Sequence, residues 1–331
     1  MALLSIKNLT TVFNSKEGQI RACNNVSLDI GCGKIVGLIG ETGCGKSVLG
    51  MSILNLLCKN ATTSGQIIYK GQDLLSLTEK ELRRIRGKEI ALLPQSPSTS
   101  LNPVLKIGEQ ISEGLQCFSK AKKNIVMEKN LKMLKSLGFN NPKKVIGQYP
   151  HQLSGGMKQR VLAALSISGE PSLLIADEPT KGLDAVLRGQ VVELLRQLTR
   201  TTGTSLLLIT HDLRIAAQLC DEIAVMYSGE IIENGFAKQV LNQPAHPYTQ
   251  GLLSSLPEMG LHPIPGYSPS LLEYLPGCRF YSRCMLRKEV CNLNPISLSK
   301  VNGSYVRCLR VTQSTGVKQN IYSRNVQSAA V

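Results

Sequence analysis

The sequence has no tryptophan and few other aromatic residues, which together make up 4% of its 331 positions. Proteins that bind single-stranded nucleic acid stack bases on aromatic side chains. The formal net charge of +15 is therefore not accompanied by the aromatic side chains on which such proteins stack bases. The basic residues are also dispersed, in segments such as 80–88 and 119–124. The charge indicates a solvated surface, with a membrane-facing surface as the alternative, and nucleic acid is not an expected partner.

Long apolar runs are absent as well. A membrane-spanning helix needs roughly 20 apolar residues, whereas the longest runs here, such as Ser205–Ile209, have the length of a strand. The first ten residues contain neither a long apolar core nor a small-residue cleavage site, so no signal peptide is expected. We therefore expect the chain to stay in the cytoplasm.

Short runs that are apolar on both faces recur along the chain. Continuous apolar strands are typical of a parallel sheet covered by helices. The sequence therefore predicts an α/β fold, preceded by strands that alternate with a period of about two at residues 3–13 and 24–30. The apolar runs are 34–40, 89–95, 172–178, 205–211 and 222–228, and the predicted helices between them are 46–57, 157–167, 187–199 and 213–219.

The segment GETGCGKS, at residues 40–47, matches the P-loop spacing and lies between an apolar strand and a helix. Its glycines let backbone N–H groups approach phosphate oxygens, and the following helix adds its positive end. We expect Lys46 to reach the β- and γ-phosphates and Ser47 to bind Mg²⁺. A chance glycine-rich turn is the alternative, which the strand–turn–helix context disfavours. The predicted nucleotide-binding residues here are Gly40, Glu41, Thr42, Gly43, Cys44, Gly45, Lys46 and Ser47.

Two adjacent acids follow the apolar run LLIA. Asp177 is predicted to hold Mg²⁺, directly or through water, and Glu178 to polarise the attacking water as a general base. A plain surface turn is the alternative reading. No Asn-Lys-x-Asp segment that would read guanine is present, which favours ATP over GTP. Phe13 could stack on a purine or belong to the core, and the two readings are weighed evenly.

The segment LSGGMKQR, at residues 153–160, resembles the signature of the ATP-binding cassette (ABC) family. Ser154 can cap the following helix, while Gly155 and Gly156 expose backbone N–H groups as a second phosphate-binding device. The resemblance implies that the signature of one subunit covers the γ-phosphate on the P-loop of another. It thus implies a head-to-tail pair of cassettes with two ATP molecules between them.

Other landmarks of the family occur in order. By resemblance, Gln95 is the Q-loop glutamine that contacts Mg²⁺ and water, Asp184 is the D-loop aspartate, and His211 is the switch histidine that contacts the γ-phosphate. The similarity extends from residue 3 to about residue 310. Met157 and the pair Lys181-Gly182 depart from the usual pattern, but neither departure removes a required chemical group.

Three further segments, 92–104, 151–161 and 246–257, resemble the ATPases of oligopeptide, dipeptide and nickel importers, and most closely their D-type subunit. That resemblance implies a heterodimer with a second, related ATPase, two transmembrane permeases and, indirectly, an extracytoplasmic substrate-binding protein. It also implies a peripheral position on the cytoplasmic face of the inner membrane. Peptide and nickel both remain open as cargo.

Four of the ten cysteines are crowded near the end of the chain: Cys278, Cys284, Cys291 and Cys308. Their spacing lacks the C-x₂-C pairs of zinc fingers and suits an iron–sulfur cluster. Some members of the importer subfamily carry a 4Fe–4S cluster at matching cysteines, and a structural role is expected. Zinc and no metal are the alternatives. The scattered cysteines are expected to be buried small hydrophobes; they are Cys23, Cys32, Cys44, Cys58, Cys117 and Cys220.

The resemblance also implies a division of the chain. An ATP-binding core of RecA-like type, with an N-terminal antiparallel β-subdomain, is expected at 1–94 and 158–262, and an α-helical signature subdomain at 95–157. A Cys-rich extension is expected at 263–310 and a disordered tail at 311–331. The predicted function is ATP hydrolysis that energises an importer. The rivals are a soluble ABC ATPase acting on ribosomes or DNA, and a regulatory cassette that does not hydrolyse ATP.

Overall fold

The computed structural model describes residues 2–118 and 123–312. The strands are β1 (Ala2–Ser15), β2 (Gly18–Gly31), β3 (Ile35–Ile39), β4 (Ala61–Tyr69), β5 (Gln72–Asp73), β6 (Ile90–Leu93), β7 (Leu173–Asp177), β8 (Ser205–Thr210), β9 (Glu222–Tyr227), β10 (Glu230–Phe236), β11 (Ser299–Val301) and β12 (Ser304–Val306). The helices are α1 (Lys46–Ile53), α2 (Glu79–Ile85), α3 (Pro97–Ser100), α4 (Ile107–Phe118), α5 (Lys123–Ser136), α6 (Pro142–Ile146), α7 (Gly155–Ile167), α8 (Ala185–Thr202), α9 (Leu213–Leu219), α10 (Ala237–Asn242), α11 (Pro247–Ser254) and α12 (Leu309–Thr312).

Packing divides the described residues into two compact units. The first, called the signature unit below, comprises residues 2–3, 30–35, 76–118 and 123–209. The second, called the P-loop unit, comprises residues 4–29, 36–75 and 210–312. This division by packing differs from the predicted boundaries at residues 94, 157 and 262, which stay predictions. Most of the predicted tail, residues 313–331, lies outside the described residues.

The signature unit contains a parallel sheet and a group of helices. Strands β6 and β7 pair in parallel, as do β7 and β8. All six residues of β8 are buried, as expected of a parallel strand that is covered on both faces. Helices α5, α6 and α7 pack against α4, and their shared core includes Ile107, Ile111, Val126 and Leu134.

The P-loop unit contains two sheets. One is four-stranded in the order β2-β1-β4-β5, with β4 antiparallel to both of its neighbours. The other is mixed: β9 runs parallel to β3 and antiparallel to β10, and β10 pairs in turn with β12 and β12 with β11. Because β11 and β12 come from the last described residues, the end of the chain contributes directly to this sheet.

Three aromatic rings pack against one another in the core of the P-loop unit. Tyr227 of β9 lies with its ring centroid 4.6 Å from that of Tyr248 in α11 and 5.3 Å from that of Phe280. All three residues are essentially inaccessible to solvent. Phe280 belongs to the Cys-rich segment, so this segment packs into the same core as β9 and α11. The proline-rich stretch 262–269 has no regular secondary structure.

The predicted elements agree well with the structure where burial is strongest. The five apolar runs predicted as strands each coincide with an observed strand to within two residues, and the predicted helix at 213–219 is α9. The helix predicted at 46–57 ends at Ile53, and Asn55 takes a left-handed backbone conformation with φ of 49°. No helix among the described residues combines the length and apolarity needed to cross a bilayer.

Candidate nucleotide-binding site

The P-loop lies between β3 and α1, and two of its glycines touch neighbouring main chain. Gly40 has φ of 154°, and a Cβ there would lie 2.1 Å from the carbonyl oxygen of Met226. Gly45 has φ of 105°, and a Cβ there would lie 2.0 Å from the carbonyl oxygen of Ala22. Both positions therefore require glycine for two reasons, backbone conformation and space.

Lys46 is buried at the start of α1 with its ammonium turned toward the loop. Its Nζ donates to the carbonyl oxygens of Gly40 and Glu41, at 2.8 Å each. Thr42 and Gly43, at the tip of the loop, are exposed, while Ser47 is half-buried in the first turn of α1. The structure thus brings a cation, glycine-rich backbone and a hydroxyl-bearing residue together within one loop.

Cys44 is buried within the P-loop, 3.8 Å from the ammonium of Lys46. Burial raises the pKa of its thiol, and the nearby Lys46 opposes this only in part. Burial likewise raises the pKa of Cys23 to about 12. Both thiols are therefore neutral at physiological pH, and Cys44 adds no negative charge to a loop expected to hold phosphate.

The signature unit places the predicted acids at one edge of its parallel sheet. Asp177 is the last residue of β7, and the N–H of Glu178 donates to the carbonyl oxygen of Ile209 at 2.8 Å. Glu178 has φ of 48°, so the chain turns sharply as it leaves the strand. Gln95 follows β6, which pairs in parallel with β7. The amide and the two acids therefore share the carboxyl edge of the sheet, where α/β proteins bind ligands.

The signature segment begins helix α7. Ser154 is its N-cap and accepts a hydrogen bond from the N–H of Met157 at 3.4 Å, which confirms the predicted cap. Gly155 is exposed with open space around it, whereas a Cβ on Gly156 would lie 2.5 Å from Leu187 of α8. Asp184 caps α8 by accepting from the N–H of Leu187 at 2.9 Å.

Gln159 was not singled out from the sequence, although it belongs to the signature segment. Its buried Nε2 donates to the carbonyl oxygen of Pro179 at 2.8 Å. This bond ties the signature helix to the turn that follows Glu178, so the two motifs hold a fixed relation within the signature unit. A glutamine inside a helix carries no sequence signal for such a bond.

His211 and Phe13 belong to the P-loop unit. His211 is exposed in the bend between β8 and α9. The next residue, Asp212, caps α9 and donates its own N–H to Thr210 Oγ1 at 3.0 Å, which fixes the backbone on either side of the histidine. Phe13 is half-buried in β1 opposite Ala61 of β4. Its proposed stacking on a purine stays a prediction.

Residue Glu41 of the P-loop has partners that the sequence did not reveal. Its N–H donates to the hydroxyl oxygen of Tyr248 at 3.1 Å. Both of its carboxylate oxygens accept from Nη1 of Arg283 at 3.0 Å. The segment around Tyr248 had been noted only for its resemblance to importer ATPases, and nothing in the spacing had drawn attention to Arg283.

The four clustered cysteines line a single recess in the P-loop unit, together with His246 and Phe280. The cavity volume of this recess is about 10 Å³, roughly the room for one water molecule. Burial raises the pKa of Cys278 to about 12 and that of Cys284 to about 11. These two thiols are therefore protonated unless a metal displaces their protons.

His246 faces this recess as a fully buried imidazole. Its Nδ1 accepts a hydrogen bond from the N–H of Tyr248 at 3.0 Å, so its Nε2 carries the proton. Among the described residues Nε2 makes no well-formed hydrogen bond, although the main chain of Arg307 interacts with the imidazole. Burial lowers the pKa of His246 to about 3, and this interaction with the main chain of Arg307 opposes the shift only in part.

The other cysteines differ from the expectation in part. Cys23 and Cys44 are buried as predicted and Cys220 is half-buried, but Cys32 and Cys58 are exposed. The expectation was wrong for those two because Cys32 lies in the turn after β2 and Cys58 in the connection between α1 and β4, where no core covers a small apolar side chain. The side chain of Cys117 lies outside the described residues.

A P-loop, a strand ending in two acids, and a serine- and glycine-capped signature helix define an ATPase cassette of the ABC type. Residues 23–181 match the family described as "ABC transporter", and residues 232–291 match "Oligopeptide/dipeptide transporter, C-terminal region". The chain belongs to the ATP-binding proteins of ABC transporters, in the branch that contains oligopeptide and dipeptide transport ATP-binding proteins.

Two relatives and one solved structure document this membership. The dipeptide transport ATP-binding protein DppD of Bacillus subtilis is 43% identical, over 88% of this chain and 89% of its own length. The oligopeptide transport ATP-binding protein OppD of Haemophilus influenzae is 39% identical, over 92% of this chain and 96% of its own. The cassette MJ0796, solved as a dimer in a post-hydrolysis state with ADP and phosphate, is 27% identical with a TM-score of 0.64, covering 71% of this chain and 98% of that one.

The contact between Gly45 and Ala22 leads to a first prediction. In Gly45→Ala the new Cβ clashes with a main-chain oxygen, so the loop must move. We expect ATP affinity to fall by at least about tenfold and the free energy of unfolding by about 1–3 kcal/mol. Gly71→Ala is the matched control, because Gly71 has φ of 87° but open space around it.

The control variant is expected to lose about 1–2 kcal/mol of stability while retaining ATP affinity. Equilibrium binding of Mg·ATP and thermal unfolding measure the two effects. Unaltered binding by Gly45→Ala would show that the close approach does not shape the site.

Proposed function

We propose that this chain is the ATP-hydrolysing subunit of an importer for oligopeptides or dipeptides, bound peripherally at the cytoplasmic face of the inner membrane. The observation that carries the proposal is the occurrence of a P-loop, an acidic strand end and a signature helix in one chain whose relatives are named peptide transport ATP-binding proteins. The peptide-transporter C-terminal region at residues 232–291 supports the same assignment.

In this proposal, the backbone N–H groups of the loop and the ammonium of Lys46 bind the triphosphate. Ser47, Asp177 and Gln95 would hold Mg²⁺ through oxygen donors, and the bound ion would supply positive charge against the phosphates. Glu178 orients a water molecule and takes its proton as that water attacks the γ-phosphorus. His211 donates a hydrogen bond to the γ-phosphate. The main-chain bond of Glu178 to Ile209 fixes the point from which its carboxylate extends.

A second cassette completes the site in this proposal. The N–H groups of Ser154, Gly155 and Gly156 donate to the ATP that is held on the P-loop of a partner cassette. Asp184 lies at the same contact between the two cassettes. The dimeric state of the MJ0796 cassette supports this arrangement. We infer that the partner is a second, related ATPase, and that the pair drives two permeases fed by an extracytoplasmic binding protein. ATP favours the closed pair because it contacts both chains only there.

Peptide is the cargo that the relatives support, since the proteins compared above are named for dipeptide and oligopeptide transport. Nickel, the other cargo left open by the sequence, has no support among them. The rival reading as a soluble ATPase acting on ribosomes or DNA has no support either.

The assignment of the general base can be tested with Glu178→Gln. Because the amide cannot accept the proton of the attacking water, hydrolysis is expected to fall by at least about a hundredfold, while ATP binding is retained. The measurement compares ATP binding and phosphate release by the cassette assembled with its partner. Glu170→Gln, at an exposed site with only a surface ion pair to Lys129, is the control and is expected to behave like the wild type. Wild-type hydrolysis by Glu178→Gln would exclude this base.

We further propose that the four cysteines bind a 4Fe–4S cluster with a structural role. The support is chemical: four thiols and His246 line one recess, and the buried Nε2 of this histidine makes no well-formed hydrogen bond among the described residues. Buried donors normally have partners, and cluster sulfurs accept hydrogen bonds. When bound, the cluster would crosslink Cys278, Cys284, Cys291 and Cys308.

Among the described residues, no group of three or more His, Cys, Asp or Glu side chains could hold a metal ion as it stands. The choice of a cluster over zinc therefore rests on the sequence spacing of the cysteines, which lacks the C-x₂-C pairs of zinc fingers.

Iron analysis and the visible absorption spectrum after anaerobic purification test this proposal. Wild-type protein is expected to contain about four irons per chain and to absorb in the visible range. Cys291→Ser is expected to lose most of the iron, whereas Cys58→Ser, at an exposed cysteine outside the recess, is expected to keep it. A folded wild-type protein that binds zinc, or no metal at all, would refute the cluster.

A further inference from the structure

Glu41 is an acid at the second position of a loop built to hold a polyanion. Its carbonyl oxygen is 2.8 Å from the ammonium of Lys46, the cation expected to meet the phosphates. A carboxylate on a residue of this loop repels a polyanion bound there unless a positive charge compensates it, and the repulsion is stronger where protein displaces water. The loop therefore needs a counter-charge for Glu41 that leaves Lys46 available.

Arg283 provides this counter-charge from the Cys-rich segment. Its Nη1 donates to both carboxylate oxygens of Glu41 at 3.0 Å, and also lies 3.4 Å from the hydroxyl oxygen of Tyr227. Its Nε donates to the carbonyl oxygen of Pro265 at 3.1 Å. The arginine side chain is 7% exposed, whereas that of Glu41 is 30% exposed. Hydrogen bonds to other groups thus hold the guanidinium in place. Because its donor is held in place, the charge-assisted contact with Glu41 is directional.

The main chain of Glu41 is held from the same side of the unit. Its N–H donates to Tyr248, and the ring of Tyr248 packs against those of Tyr227 and Phe280. Phe280 and Arg283 lie within four residues of each other in the Cys-rich segment, and Arg283 directly precedes Cys284. The Cys-rich segment, which lines the cysteine recess, therefore also contacts Glu41, the second residue of the P-loop.

We propose that Arg283 is a positioning residue for nucleotide binding: it neutralises and orients Glu41, so that the Cys-rich segment sets the affinity of the P-loop for ATP. This inference rests on the proposed ATP-binding function of the loop. It does not depend on which metal, if any, the cysteines bind, because every contact in the chain from Phe280 to Glu41 is made by protein atoms.

The first arm of the test removes the charge. In the full-length Arg283→Met variant, Glu41 keeps its negative charge without a partner, and the dissociation constant of Mg·ATP is expected to rise about tenfold. Lys288→Met is the matched control: it makes the same change of charge at an exposed position of the same segment, and ATP affinity is expected to stay unchanged. Equilibrium binding and thermal unfolding are measured for both.

The second arm restores the balance of charge. Adding Glu41→Gln to Arg283→Met removes the uncompensated carboxylate, so the dissociation constant is expected to return to within about threefold of the wild type. If Arg283 only stabilised the local structure, the opposite would be expected. The double variant has lost both partners and should then bind Mg·ATP no better than Arg283→Met alone. Arg283→Lys keeps the charge and is expected to retain most of the affinity.

The outcomes separate the hypotheses. Wild-type affinity in Arg283→Met, or a double variant as weak as the single one, overturns the positioning role. If Arg283→Met does not fold, Arg283→Gln replaces it in both arms: a tenfold loss of affinity that Glu41→Gln restores supports charge compensation, and wild-type affinity or an unrestored loss overturns it. A wild-type chain that binds no ATP refutes the proposed function itself, which is distinguishable because the control Lys288→Met then fails to bind as well.

Discussion

Binding a triphosphate through backbone amides requires a loop that stays close to neighbouring main chain without a side chain between them. Here Gly40 and Gly45 approach the carbonyl oxygens of Met226 and Ala22 so closely that a methyl group would fit at neither position. The main chain of β2 at Ala22 and that of β9 at Met226 thus fix the shape of the loop. The ammonium of Lys46 lies against the same loop, where it donates to the carbonyl oxygens of Gly40 and Glu41.

The same loop links the nucleotide site to the last part of the chain. The Cys-rich segment contributes β11 and β12 to the mixed sheet, Phe280 to the aromatic core, and Arg283 to the carboxylate of Glu41. Packing and charge-assisted hydrogen bonds therefore connect the cysteine recess to the P-loop within one compact unit. The Cys-rich segment, which the sequence presented as an extension of the ATP-binding core, contacts the P-loop directly.

In both compact units of this ABC transporter ATP-binding protein, hydrogen bonds connect a sequence motif of the family to neighbouring elements. Within the signature unit, the bond from Gln159 to Pro179 couples the signature helix to the turn after the acids, and Asp184 caps the next helix. Within the P-loop unit, the bonds around Glu41 couple the phosphate loop to α11 and to the cysteine recess. Each unit thus carries one glycine-rich motif at the start of a helix, and hydrogen bonds tie that motif to neighbouring parts of the same unit.

The sequence by itself determined whatever local spacing encodes: the P-loop, the paired acids, the signature cap at Ser154, the buried strands and the family. These features follow from contiguous residues whose chemistry needs no distant neighbour. Tertiary structure alone decided the pairing of Glu41 with Arg283, the role of Gln159, the buried imidazole of His246 and the exposure of Cys32 and Cys58. The reason is physical: residues 242 positions apart meet only when the chain folds, and no periodicity or motif records which buried donor will face which acceptor.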